Sequence, residues 1–426
     1  MHPFFSRPKV PALFLGLLLS TCSALADTPP LTLPEALRRA VENHPALVAG
    51  RFNERAAEAL VEQASYRPNP MLEVSIENAF GTGQAQGVRQ LEATVQASQT
   101  LERAGKREKR VALASRDREA AAAEFAVHRA EILAQTAAAF VEVVAAEQRL
   151  ALKHEPLRLA EEIHAAAEAR VKAGAGSPAE VARARVAIAS AQAELNRAAA
   201  SLAIARHALA TACGGNVAHL GPIHGGLRVP DAPPTEEIFL TALAAHPKLA
   251  QHAAFVASRR AALDLERAHA TDDVAVSGGV RFLREGSDAA LVAGVSVPLP
   301  VRHKNQGNIR AARETLAGAE QSLRAAETEL RANVGTAWQE LKAAHAAARL
   351  LRRDTLPATQ EAYAVVRRAY DAGQLPLIDV LDAQRALIEL RRALLDAEAG
   401  YAAALARLEG ISVLPFTATA SLLSAE

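Results

Sequence analysis

Four short stretches of the chain alternate strictly between apolar and polar residues. Residues 72–77 place Leu72, Val74 and Ile76 on one face and Glu73, Ser75 and Glu77 on the other. Residues 91–98 set Leu91, Ala93, Val95 and Ala97 against Glu92, Thr94, Gln96 and Ser98. Residues 274–282 and 290–298 repeat the pattern, with Val274, Val276, Val280 and Phe282 on one face and Leu291, Ala293, Val295 and Val297 on one face. A period of two predicts β-strands, and the glycine-containing loop after the first stretch predicts a hairpin. After each strand pair the period lengthens. Residues 106–172 contain one proline, Pro156, and no glycine, and predict a single very long helix; residues 308–371 predict its counterpart. Val181, Ile188, Leu195, Leu202 and Leu209 recur every seven residues, as do Leu381, Ile388 and Leu395. Sustained heptads predict coiled-coil packing, and alanine on the flanks suits a curved palisade of helices.

The pattern is written twice. His44-Pro45 recurs as His246-Pro247, Arg110 as Arg310, Pro156 as Pro357 and Ala173-Gly174 as Ala372-Gly373, always close to 200 residues later. That period is far longer than a solenoid repeat. It predicts two similar repeats, residues 27–212 and 235–410, each a first helix, a β-hairpin and a long helical hairpin. The Gly- and Pro-rich stretch 213–234 reads as a linker and residues 411–426 as a tail. His44 and His246, each before a proline, read as helix starts, and Gly174 and Gly373 as helix ends needing positive φ. Trp338, spaced with Val334 and Leu341, reads as core.

Residues 1–26 carry Arg7 and Lys9, then the apolar run 12–19, then Ala24-Leu25-Ala26. This is the layout of a secretory signal peptide cleaved before Asp27. A rival reading takes Leu19-Ser20-Thr21-Cys22 as a lipid-attachment box. Both readings send the protein out of the cytoplasm.

Composition narrows the chemistry. The 48 Lys and Arg against 47 Asp and Glu, with 4% aromatics, argue against nucleic acid as a partner. Two cysteines exclude a disulfide scaffold and a multi-cysteine zinc site. The thirteen histidines contain no HxxH or HxxxH pair, so no metal site and no cofactor are expected. No nucleophile–base or phosphate-loop motif is present, so no enzymatic role is expected. Beyond the N-terminus no apolar run is long enough for a transmembrane helix. Four short strands cannot close a barrel alone, and an open edge in lipid leaves peptide groups unpaired. If these strands cross a membrane, several chains must pool them, with Glu73, Glu77 and Glu92 facing water. The contrasting reading is a soluble hairpin pair on a coiled coil.

The two-fold repeat, the hairpins and the segments Arg170–Gly174 and Ala369–Gly373 resemble the outer membrane efflux protein family, the TolC-like channels. Tyr370-Asp371-Ala372-Gly373 followed by Ile378-Asp379-Val380-Leu381-Asp382-Ala383 carries the sharpest likeness, and Arg67-Pro68-Asn69-Pro70 before the first strand resembles the cobalt-zinc-cadmium resistance branch. The resemblance implies a mainly α protein with a small β part: a homotrimer with a 12-stranded outer-membrane β-barrel and a long periplasmic α-helical barrel. It implies a passive exit duct in a tripartite efflux system, docked to a periplasmic adaptor (membrane fusion protein) and an inner-membrane pump of the resistance-nodulation-division class. Heavy-metal cations are the expected cargo; organic compounds or proteins are the alternative, and a periplasmic coiled-coil adaptor the third reading. By the same resemblance, Asp379 and Asp382 form the pore constriction. Glu180 and Tyr370 link the closed tip, and Gly174 and Gly373 turn the helices there. The chain departs from the family after the second turn, where Gln374, Leu375 and Pro376 stand in place of a basic residue, and Arg183 replaces the second aspartate in the first repeat.

Overall fold

The computed structural model describes residues 30–174, 176–223, 225–372 and 374–424; the segment 1–26 expected to be a signal peptide, with Cys22, lies outside them. Each repeat opens on a helix broken at a His-Pro pair: α1 (Leu33–Asn43) and α2 (Pro45–Ser65) in the first, α5 (Glu236–Ala242) and α6 (Pro247–Ala268) in the second. The single helices predicted over these spans are therefore split. Proline cannot continue the preceding helix, and the histidine before it caps the next one. His44 Nδ1 accepts from Ala46 N–H at 3.3 Å, and His246 Nδ1 accepts from Lys248 N–H at 3.0 Å.

The strands follow as β1 (Met71–Glu77), β2 (Glu92–Leu101), β3 (Val274–Leu283) and β4 (Asp288–Ser296), in one antiparallel sheet of order β1-β2-β3-β4. The hairpins of the two repeats meet through β2 and β3, where Val95 opposes Val280 and Thr94 opposes Arg281. β1 and β4 are the open edges.

α3 (Lys106–Lys172) runs 67 residues through Pro156 without a break, about 100 Å at 1.5 Å per residue. Its counterpart comes in two parts. α7 (Gln306–Leu350) passes through a π-helical turn at Leu351–Thr355 into α8 (Leu356–Asp371). The returning helices are α4 (Pro178–Ala212) and α9 (Leu377–Ile411). Beside the sheet the helical layer runs α2, α3, α6, α7; toward the far turns it runs α4, α3, α9, α8. The heptad columns face these neighbours: every member of the α4 column is buried or half-buried, as is every member of the α9 column.

The densest packing lies midway along the helices. Phe140, Val143 and Val144 of α3 meet Leu209 of α4 and Ala402 of α9, while Val334 and Leu341 of α7 meet Phe239, Tyr401 and Leu405. The stretch 213–234 is no free linker. Leu220, Ile223 and Leu227 are buried in this core, Leu31 bridges to Ile223, and a Cβ on Gly225 would stand 2.7 Å from Val144. Trp338 is half-buried and donates to the Pro234 carbonyl at 3.2 Å. Residues 411–424 are packed as well. α9 ends at Ile411, and α10 (Thr417–Leu423) folds back with Leu422 and Leu423 buried. Glu409, itself buried, accepts from Ala418 and Thr419 N–H, both at 3.0 Å, and starts that helix.

Candidate pore-lining residues and helical turns

The sheet has two chemically distinct faces. Every ionisable residue in its strands lies on one of them: Glu73 and Glu77 of β1, Glu92 of β2, Arg281 of β3 and Asp288 of β4. The opposite face carries Leu72, Val74, Ile76, Val95, Val280 and Leu291, all exposed, with Leu291 at 89%. Burial on a soluble core would cover such a face, whereas lipid contact requires it uncovered.

The polar face is hydrogen-bonded across strands. Glu73 accepts from its direct partner Gln96 at 2.9 Å. Glu77 and Glu92 oppose one another directly. Like charges in that position repel, and two donors offset the repulsion. Asn78 Nδ2 donates to Glu92 Oε1 at 3.1 Å, and Arg281 Nη1 donates to Glu92 Oε2 at 3.1 Å. Arg281 also donates from Nε to Thr94 Oγ1 at 3.1 Å, and its Nη2 stands 3.8 Å from Glu77 Oε2. The alternation predicts the three glutamates' shared face. Arg281 is absent from that reading, though it stands on the same parity of the third alternating stretch.

At the far end, α3 stops at Ala173. Gly174 takes φ +71, a left-handed conformation that costs an L side chain energy, and its N–H donates to the Val171 carbonyl at 3.0 Å. Ser177 Oγ then accepts from Ala179 N–H at 3.2 Å and Pro178 starts α4. In the second turn Gly373 and the Tyr370 side chain lie outside the described residues, so the Glu180–Tyr370 link does too. Asp379 sits half-buried in the first turn of α9. Asp382, one turn on, is exposed and pairs with Arg385 at 3.5 Å, a partner the sequence reading does not include.

A cavity of about 1060 Å³ lies between α3, α4 and α9. Glu180 and Arg183 line it from α4, and Ile378, Leu381 and Arg385 from α9. Asp379 and Asp382 do not line it. The acidic residue of the first turn and the aspartates of the second therefore occupy different surroundings. Among the described residues, no three His, Cys, Asp or Glu side chains converge as metal ligands, and no helix is long and apolar enough to cross a membrane.

The sequence profile of the Outer membrane efflux protein family matches residues 36–215 and 240–412, one match for each repeat. The chain belongs to the outer membrane efflux protein family. It is 32% identical over 362 residues to the cobalt-zinc-cadmium resistance protein CzcC of Cupriavidus metallidurans, covering 85% of each chain. It is 27% identical to the outer membrane efflux protein BepC of Brucella suis, covering 91% of this chain and 85% of that one. Among solved structures, the outer-membrane channel OprN superposes with a TM-score of 0.73 at 18% identity, covering 89% of both chains. CusC superposes at 0.71 with 18% identity, over 96% of this chain and 98% of that one. Family and fold make this protein an outer-membrane efflux channel, with the sheet in the membrane and the helical part in the periplasm. The family is one of channels and not of periplasmic adaptors.

Proposed function

We propose that three copies of this chain close into one conduit, the exit duct of a tripartite efflux system. One observation carries the reading: both layers of the molecule end in unpartnered edges. β1 and β4 are open in the sheet, and α4 and α8 flank the helical layer, with Val186 and Ile204 of α4 and Val365 of α8 exposed. An open edge in hydrocarbon leaves each unpaired peptide group costing several kcal/mol. Joining β4 of one copy to β1 of the next removes the edges. Three four-stranded sheets give a 12-stranded barrel with the charged face inward, and the helices continue it as a periplasmic tube.

Asp379 and Asp382 form the constriction in this reading. They lie three apart on α9 and so share a face, and three copies bring six carboxylates to one ring. Such a ring attracts cations and repels anions. Gly174 and Gly373 turn the helices at the tip, and Glu180 with Tyr370 holds it closed. A periplasmic adaptor and an inner-membrane pump of the resistance-nodulation-division class complete the path. The cargo is divalent heavy-metal cations. Supporting this are the names of three relatives: cobalt-zinc-cadmium resistance (CzcC), nickel and cobalt resistance (CnrC), and nickel-cobalt-cadmium resistance (NccC).

Growth of a deletion strain tests the cargo. It loses tolerance to cobalt, zinc or cadmium, and the wild-type chain restores it. Sensitivity confined to dyes and antibiotics would show organic export instead. The constriction is tested separately in planar bilayers. Asp379→Ala with Asp382→Ala lowers the cation-to-anion permeability ratio by about twofold or more; an unchanged ratio removes these residues from the constriction.

A further inference from the structure

Arg281 is the one basic residue among the strands, set against four carboxylates on the same face. Its position answers a specific problem. Glu77 and Glu92 are direct cross-strand partners, and two carboxylates so placed form an oxygen-donor pair suited to a divalent cation. The Arg281 guanidinium stands where that cation would sit. Nη1 is 3.1 Å from Glu92 Oε2 and Nη2 is 3.8 Å from Glu77 Oε2. The Nε–H, held by Thr94 Oγ1 at 3.1 Å, fixes the plane of the fork. Small neighbours leave room for it: Ala290 opposes Arg281 on β4, and Gly279 precedes it by two on the same face.

We propose that Arg281 is a specificity-determining residue of the exit barrel: a tethered cation that occupies the Glu77–Glu92 pair and keeps passing divalent cations from being held there. The inference rests on the barrel reading above. A conduit needs sites that attract its cargo weakly enough to release it. A guanidinium fixed to the chain hydrogen-bonds Glu92, pairs with Glu77 and halves the pair's net negative charge, so cargo entering the barrel meets an occupied pair instead of a trap. Glu73 keeps only its neutral partner Gln96, so the wall retains a mild preference for cations.

The test uses the purified full-length channel in planar bilayers with zinc or cadmium ions as probe. Wild-type conductance stays unchanged when the metal is added at millimolar concentration. Arg281→Gln exposes the carboxylate pair, and single-channel current falls by about half or more under the same addition. Combining Arg281→Gln with Glu92→Gln removes the pair and restores the unblocked current. An Arg281→Gln channel as insensitive to metal as the wild type overturns the inference, as does equal block of the wild type. If Arg281→Gln does not assemble, Glu77→Gln with Glu92→Gln leaves Arg281 unmatched and lowers the cation-to-anion permeability ratio by about twofold. An unchanged reversal potential in that variant also overturns it. A wild-type protein that forms no conducting pore contradicts the barrel reading itself, a different failure from metal-insensitive pores.

Discussion

Lys106 and Asp273 tie the two repeats together where sheet meets helices. Lys106 is almost wholly buried, and its ammonium donates to Asp273 Oδ1 at 2.7 Å. Burial alone would raise the Asp273 carboxyl, but the Lys106 hydrogen bond and the Arg103 N–H outweigh it and hold the group below the usual range. A depressed acid stabilises the fold above its unfolded pKa and loses that contribution as pH falls through its folded value. The tie therefore holds at neutral pH and loosens only below about pH 4. Asp273→Asn leaves the Lys106 charge buried and unpaired and is expected to cost roughly 3 kcal/mol, read as a lower thermal unfolding midpoint by circular dichroism. His246 behaves with the opposite residue type but the same sign. Burial pushes its imidazole below the usual value, and the neutral ring caps α6 through Nδ1. That stability is present above the unfolded value, about 6.5, and fades as pH falls through the folded one. His246→Ala is expected to cost about 1 kcal/mol at pH 8 and less at pH 5; an equal cost at both would deny the cap its neutral form.

At the scale of elements, the strands test the assignment of faces. Val74→Glu places a charge on the lipid side, a cost of about 2–4 kcal/mol for a basic residue at mid-membrane and somewhat less for an acid. It is expected to abolish outer-membrane assembly. Ser75→Glu, one residue on, enters the polar face and is tolerated. Equal tolerance of both, seen in membrane fractions, would dissolve the distinction. This much is legible in the chain, because a period of two says which residues share a face before any partner strand is known. Arg281 is not legible in the same way. A single charge in a short strand has no period of its own, and its meaning comes from a diagonal cross-strand bond to Glu92, 189 residues away. The π-helical turn is nearly silent too. α3 and α7 begin 200 residues apart, at Lys106 and Gln306, but Pro156 and Pro357 are 201 apart. One extra residue in the second repeat is taken up by the π-helical turn at Leu351–Thr355, and the helix continues on both sides. Arg352 and Arg353 anchor the bulge, at 2.5 Å each, to Glu398 of α9 and to Asp231.

At the scale of the whole molecule, the duplication explains why neither repeat stands alone. β2 and β3 come from different repeats and form the centre of the sheet, and the midpoint core draws on α1, α3, α4, α9, α10 and the stretch between the repeats. Gly and Pro make that stretch look like a tether, but the apolar residues among them decide its fate, because Leu220, Ile223 and Leu227 gain more from burial than from solvent. The turn residues sit at the other extreme. Spacing places Asp379 and Asp382 on one helical face, but only further copies of the chain can give that face a pore to line. One chain cannot seal its own sheet, because β1 and β4 stay open. Native mass spectrometry of the protein released from outer membranes in mild detergent tests it most directly. A particle of three chains is expected; a stable single chain that stays dissolved without detergent would overturn the trimeric conduit.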